Sequence, residues 1–330
     1  MSSARVSIIL PFRDAQRTLG AAIASILWQT FDDFTLVLLD DGSSDDSLAV
    51  ARAFADPRVV VLTDGSHRGL PSRLNQGIAW AIAEATHPSP LIARMDADDI
   101  AHPRRLERQV AMLDADPRID LCGTGSVVVD GLDRIVGCRR PPADHETICR
   151  TPYRRFPLAH PTWLGRAAWF ARWRYDELAT RSQDYQLLHE AYATSVFANV
   201  PDLLLAYSES ERRLGKAIGA RLSCAQSLWR RGVPRGELTQ AIAGSVGLLA
   251  GSLADVAIGV TGRADLGGIR LRPTSAREGE EWRELLVRVR HAVPHPSEVE
   301  VADHSDGSGT ARNAAPDELA APAAATLATP

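Results

Sequence analysis

Four short apolar runs, VSIIL (6–10), FTLVLL (34–39), RVVVL (58–62) and LIA (91–93), alternate with stretches whose apolar residues recur at helical spacing. Leu19, Ile23, Ile26 and Leu27 set that spacing after the first run, and DSLAVARAFA and PSRLNQGIAWAIAEA follow the second and third. Alternating strands and helices with short connections predict an α/β fold with a mostly parallel central sheet covered on both faces. Sheets of this kind take their ligands at the carboxyl ends of the strands.

Two of those ends are acidic. In FTLVLLDDGSSDDS (34–47) a strand runs into four aspartates, three serines and one glycine. A turn needs one Asp or Asn and a Gly, and adjacent carboxylates repel, so the excess implies a held ligand or an elaborate helix cap. After the fourth run comes RMDADDIAHPRRLERQ, where Pro103 suits a helix's first turn. Asp96 and Asp98 are two residues apart, so both carboxylates face one side of an extended segment. Such a pair suits Mg2+ or Mn2+ shared with a diphosphate; an acidic helix N-terminus is the competing reading. An EF-hand fails: counting from Asp96 puts Glu107 at the twelfth place but Ala101 where Gly is required. There is no G-x-G-x-x-G after the first run and no G-x-x-x-x-G-K-[ST], so phosphates are expected to be held by metal and side chains.

Lys and Arg total 37 against 41 Asp and Glu, which gives no broad basic field and argues against nucleic acid as a partner. Cys122, Cys138, Cys149 and Cys224 form no C-x-x-C pair and read as reduced thiols. The N-terminal apolar run is too short for a signal peptide, and the expected location is cytoplasmic, possible contact with the inner membrane face being left open. Residues 1–212 read as the catalytic domain, 1–120 and 121–212 as its nucleotide and acceptor halves. Residues 213–272 read as a helical extension, and 273–330, poor in large apolar residues, as a largely disordered tail. LTQAIAGSVGLLAGSLADVAIGV (238–260) carries one charge, Asp255, and a G-x-x-x-G at Gly247 and Gly251. It fits a helix packed on the domain, an interfacial helix or a membrane span.

VSIILPFRDAQRTLGAAIASILWQTFDDFTLVLLDDGSSDDS, GLPSRLNQGIAWA and IARMDADDIAHPRRLERQV, followed in order by HPTWLGR, SQDYQLLHEA and FANVPDLLLAYS, resemble the family 2 inverting glycosyltransferases. The likeness covers roughly residues 4 to 210 and is closest to the subgroup that builds bacterial cell-surface glycans. It implies a GT-A fold and a nucleoside diphosphate sugar donor, UDP or dTDP being favoured, with Mn2+ or Mg2+ as cofactor. It also implies a hydroxyl acceptor on a glycan or lipid-linked glycan. By the same resemblance Asp41, beside Asp40, accepts from the ring N–H of a pyrimidine, Gly42 lets the base approach, and Pro11, Phe12 and Arg13 lie at the nucleoside. Ser43 and Ser44 are read as caps of the following helix. Asp96 and Asp98 match the D-x-D motif, Asp98 as metal ligand and Asp96 nearer the donor or metal, with Asp99 beside them. Asp184 matches the general base, although Gln183 stands where the subgroup has Glu. Arg68, Asn75 and Arg94 are placed at the nucleotide edge, helix-surface or strand-edge roles staying open. His160 is read equally as a pocket residue or as a hydrogen-bonded histidine in a buried loop.

Two rivals stay beside this reading. A sugar-1-phosphate nucleotidyltransferase needs a Gly-rich basic loop that PFRDAQRTLG lacks. A catalytically silent nucleotide-sugar binding protein is kept open by Gln183.

Overall fold

The computed structural model describes residues 4–84, 89–179, 181–209, 214–232, 236, 238–261 and 271–292. Among these the strands are β1 (Val6–Phe12), β2 (Phe34–Asp40), β3 (Val59–Leu62), β4 (Leu91–Arg94), β5 (Ile100–Ala101), β6 (Leu121–Val129), β7 (Ile135–Arg139), β8 (Leu164–Arg166) and β9 (Phe197–Ser208). The helices are α1 (Leu19–Leu27), α2 (Ser47–Arg52), α3 (Leu70–Ala79), α4 (Arg105–Ala115), α5 (His145–Ile148), α6 (Ala167–Arg172), α7 (Gln183–Ala191), α8 (Leu214–Ser227), α9 (Leu238–Thr261) and α10 (Ala276–His291).

The strands form one sheet in the order β3-β2-β1-β4-β8-β6-β9-β5, with β7 paired to β6. β1 pairs in parallel with β2 and β4, and β2 with β3. The antiparallel β8 then sits between β4 and β6, and β9 runs parallel to β6. Six of the nine described strands therefore point one way, with β5, β7 and β8 opposed.

Period-two alternation explains why helices cover both faces. Ile8, Leu10, Leu36 and Leu38 point into a core shared with Leu19, Ile23 and Ile26 of α1 and Leu106 and Val110 of α4. Ile9, Val37 and Leu39 point the other way, toward Leu74 and Ile78 of α3 and the rings of Trp163, Trp169 and Phe170. Helix α3 comes so close to β1 that a Cβ on Gly77 would lie 2.5 Å from Ile9 Cγ2.

The region from 213 onward holds α8 and α9, which pack on each other, with Leu228 and Ala241 buried against Tyr185 of α7. Among the described residues no helix is long and apolar enough to cross a membrane. The segment after 273 departs from the disorder expected of it. Residues 276–291 form α10, opened by a capping box in which Ser275 and Glu278 satisfy each other's backbone N–H. Trp282, Leu285, Leu286 and Val289, at i, i+3, i+4 and i+7, bury against Ala21, Val127, Leu203 and Ala206. Four apolar residues on one face suffice because the receiving sheet surface is itself apolar. The expectation for 293–330 falls outside the described residues.

Trp282 is 2% exposed. Trp282→Ala is expected to lower stability by about 3–5 kcal/mol, as truncating a large buried aromatic does, read as a shifted urea midpoint at unchanged slope. A change below about 0.5 kcal/mol, the range of surface substitutions, would mean that α10 is not part of the core.

Candidate active site

The ends of β1, β2 and β4 coincide because the three strands are parallel and in register, Phe12 opposite Asp40 and Ile9 opposite Arg94. Backbone bonds Asp41 N–H to Phe12 O (2.9 Å) and Met95 N–H to Ile9 O (3.1 Å) carry the pairing past the ends. Pro11 and Phe12 are buried at the end of β1, and Arg13, beside Asp14, is the first exposed residue beyond it.

Asp40 and Asp41 do different work. Asp40 is tied down by Ser43 N–H (3.0 Å) and the Thr63 hydroxyl (3.0 Å). Asp41, 5% exposed, accepts from Arg68 N–H (2.8 Å), Gly69 N–H (3.1 Å) and Arg73 Nε (3.0 Å), and its Oδ2 lies 2.8 Å from His67 Nδ1. Burial alone would raise the Asp41 pKa, but these hydrogen bonds outweigh it and hold the carboxyl below its ordinary range. Arg73 is fully buried and reaches onward to Asp64 Oδ1 (2.7 Å). Gly42 has φ +70°, and a Cβ there would meet the Ser66 carbonyl carbon at 2.9 Å, so the neighbouring loop fills the space beside this glycine.

Ser43 and Ser44 do not cap α2, whose N-cap is Asp46 without a side-chain bond. Ser43 Oγ accepts from Asp14 N–H (3.2 Å), and Ser44 donates from N–H (2.8 Å) and Oγ (3.0 Å) to Asp14. Asp45 accepts from Gln16 N–H (3.2 Å). Much of the polar run is thus a clasp between the loops after β1 and β2.

Beyond β4, Asp96, Asp98 and Asp99 each bring a carboxylate oxygen within 4.8 Å of the others. Arg94 is buried and makes two bonds to Asp96, one of them 2.8 Å from Nη1 to Oδ2. Asp99 is 1% exposed; its Oδ1 accepts from Ser208 N–H (2.9 Å) at the end of β9, and its buried Oδ2 has no partner. Asp98 reaches solvent, yet surrounding protein, and after it the Asp96 charge, push its pKa up to about 6. Burial and the same carboxylate neighbours raise Asp99 well above the usual range. Behind the cluster Arg105 is wholly buried, donating to Arg94 O (2.6 Å) and Gln109 Oε1 (3.1 Å). Desolvation lowers its pKa only to about 10, so it stays a cation. An orphaned buried oxygen and three converging carboxylates fit a hard, oxygen-loving divalent ion.

Asp184 stands in the first turn of α7, entered through Ser182 at φ +55°. Burial raises its pKa, with the Arg94 cation pulling the other way and Asp96 adding to the rise. Its carboxyl therefore shares an electrostatic neighbourhood with the acidic cluster. His160 is buried, its Nε2 2.7 Å from Tyr175 OH and its ring edge-on to Trp163 at 4.6 Å. Asn75 tethers α3 to the loop before α7: its amide donates to Tyr175 O (2.9 Å) and Glu177 Oε1 (3.0 Å) and accepts from Tyr175 N–H (3.1 Å). Arg68 is half-exposed at the Asp41 edge and pairs with Asp64 (2.6 Å). His67, Arg73, Arg105 and Tyr175 are participants that sequence reasoning missed.

The family model for glycosyl transferase family 2 matches residues 7–174, just over half of the 330-residue chain. The chain is 34% identical over 108 residues to the UDP-Glc:alpha-D-GlcNAc-diphosphoundecaprenol beta-1,3-glucosyltransferase WfgD of Escherichia coli, a match covering 33% of this chain and 40% of that one. It thus spans less than half the length of that relative. Among solved structures, the 1–349 fragment of TarS from S. aureus in complex with UDP aligns at a TM-score of 0.52 and 16% identity, covering 91% of this chain and 83% of that one. The mannosyltransferase PcManGT of Pyrobaculum calidifontis, with GDP-Man and Mn2+, aligns at 0.52 and 17% identity, covering 91% and 88%. With strands, acidic edge and family match in agreement, the chain belongs to glycosyl transferase family 2 and has the GT-A fold.

Proposed function

We propose that this chain is a metal-dependent inverting glycosyltransferase that moves one sugar from a nucleoside diphosphate to a hydroxyl of a glycan or glycolipid, in cell-surface polysaccharide synthesis. The observation that carries the reading is the placement, at the carboxyl ends of β2 and β4 on either side of β1, of the Asp41 network and a carboxylate cluster containing an unpartnered buried oxygen. The UDP and GDP-Man bound by the structural neighbours, and the Mn2+ beside the latter, support a nucleotide sugar and a divalent ion here.

Asp98, with Asp96 and Asp99, would hold Mn2+ or Mg2+, which when bound offsets negative charge on the departing diphosphate. Arg94 fixes Asp96 from behind, leaving Asp98 as the most accessible carboxylate. The uracil or thymine of UDP or dTDP lies at Asp41, with Pro11, Phe12, Arg13 and Arg68 at the nucleoside edge. Asp41 already accepts four donors, which fills a carboxylate. Base recognition therefore requires the half-exposed His67 to leave Oδ2 so that the pyrimidine N–H takes its place. Asp184 accepts the acceptor's hydroxyl proton while the oxygen attacks the anomeric carbon opposite the diphosphate; one displacement inverts the centre. A cavity of about 320 Å³ beside α7, lined by Asp176, Ala179, Gln186, Ser227 and Arg230 among others, offers space on the acceptor side.

Asp98→Asn is expected to abolish the Mn2+ dependence of UDP binding in calorimetry; metal-dependent binding kept by the variant would refute the metal assignment. Asp184→Asn is expected to lower kcat by about 100-fold or more with UDP affinity unchanged. Since burial raises the Asp184 pKa and a base must be ionised, kcat/KM is expected to fall as pH drops through a value above 3.8, the variant losing the Asp184 part of this limb and keeping only that of Asp98. His67→Ala, by freeing Oδ2, is expected to tighten UDP binding several-fold, about 1 kcal/mol; weakened binding would show instead that His67 contacts the nucleotide.

A further inference from the structure

Helix α8 turns a polar face toward the catalytic domain. Leu228 is buried beside Tyr185 of α7 and anchors the helix there. Ser223, Gln226, Ser227 and Arg230, at i, i+3, i+4 and i+7, form the adjoining stripe, the last of them on the π-helical turn Leu228–Gly232 that continues α8. A stripe that packs on a domain is ordinarily apolar. This one forms a wall of the cavity of about 320 Å³, whose other wall is Gln186 of α7 with Asp176, Leu178 and Ala179 of the loop before it. Two side chains there have hydrogen-bonding capacity unspent. Gln186 is 8% exposed, yet among the described residues its side-chain amide bonds to no group. Ser227 is 4% exposed and its Oγ has no hydrogen-bond partner. Buried polar groups are ordinarily paired, so two orphaned side chains around one small cavity point to a ligand.

The lining identifies the chemistry of that ligand. Serine and glutamine both donate and accept, as a sugar hydroxyl does, and the planar amides and the Arg230 guanidinium present paired groups suited to adjacent hydroxyls. Asp176 and Arg230 are opposite in charge, so a net ion gains little, and none of the described lining residues offers a ring for a nucleobase to stack on. Leu178 and Ala179 supply an apolar patch for the C–H face of a ring. The volume is at the lower end of small-molecule sites, about 300–1,000 Å³. Gln186 is two residues from Asp184, about 200° around α7, so the cavity lies beside the base and not at it. We propose that it binds a neutral pyranose ring of the acceptor, next to the sugar that is glycosylated, and so selects acceptors of two or more sugars. The inference rests on the glycosyl-transfer reading.

The test is ligand-observed NMR of the full chain with the methyl glycosides of glucose, galactose and N-acetylglucosamine, methyl glucuronide serving as the anionic control, beside calorimetry of UDP with Mn2+. At least one neutral glycoside is expected to bind, about tenfold more weakly in Gln186→Leu and severalfold more weakly in Ser227→Ala, with UDP affinity unchanged in both. Ser227→Ala removes an unpaired buried hydroxyl and is therefore expected to unfold no earlier than wild type, so that its loss of binding is not a loss of fold. Thermal unfolding checks this for both variants. No neutral glycoside bound by wild type, equal binding by wild type and both variants, or glucuronide preferred to the neutral rings overturns the proposal. Sugar binding without Mn2+-dependent UDP binding overturns the glycosyl-transfer reading, and with it the acceptor assignment of the cavity.

Discussion

Three carboxylates crowded at one strand end are the constraint around which the site is built. Two unit charges about 4 Å apart repel by on the order of 4 kcal/mol at a dielectric typical of protein surfaces, and Asp96, Asp98 and Asp99 are that close together. The chain offsets part of this with guanidiniums placed behind them. Arg94 binds Asp96 directly, and Arg105, anchored on the Arg94 carbonyl, adds a second cation from within the core. Burial, and after it the neighbouring carboxylates, still raise the pKa values of Asp98 and Asp99. A divalent ion bound among these carboxylates would lower the repulsion that the two arginines leave.

Arg94 also joins the two halves of the domain. Its N–H donates to Trp163 O (2.9 Å), which binds β4 to the loop preceding β8. Its charge reaches His160, Tyr175 and Asp184, adding to the burial-driven fall of the first and opposing the burial-driven rise of the other two. The His160–Tyr175 bond and the Asn75 tether then hold the segment before α7 against α3. The carboxylate cluster and Asp184 are therefore registered through one buried cation and a short chain of packed rings, and the position of Asp184 depends on parts of the sequence 90 residues away.

What could be read from sequence was what local pattern encodes. The β1 and β2 runs alternate between two cores, so strand, face and helix coverage follow from period two and period 3.6. Helix α10 was hidden because its neighbourhood is polar and only four of its residues are buried apolar ones; the Ser275-to-Glu278 capping box and the i, i+3, i+4, i+7 spacing were signals that composition masked. Arg73 was missed because an arginine in an amphipathic helix ordinarily reads as surface, and only the fold brings Asp41 and Asp64 to it. Ser43 and Ser44 were misread because a cap is a local partner, whereas their partner, Asp14, lies one strand and one helix earlier.

The choice of cation completes the logic. Lys216 is the sole lysine in a sequence with 37 basic residues. Several cations here, the buried Arg73 and Arg105 and the half-buried Arg166, satisfy acceptors fixed by different elements. Arg73 bonds Asp41, Asp64 and Gln76. Arg166 bonds the carbonyls of Ile119 and Leu113 through separate nitrogens. Arg105 spans Arg94 O, Gln109 and the Met95 sulfur. A planar guanidinium has five donors in fixed directions, is less strongly hydrated than an ammonium and keeps its charge when buried. A lysine in the same seat would leave acceptors orphaned in the core, at roughly 1–3 kcal/mol each, and would shed its proton under the same desolvation. Interior charge that must stay on next to three carboxylates therefore has to be arginine.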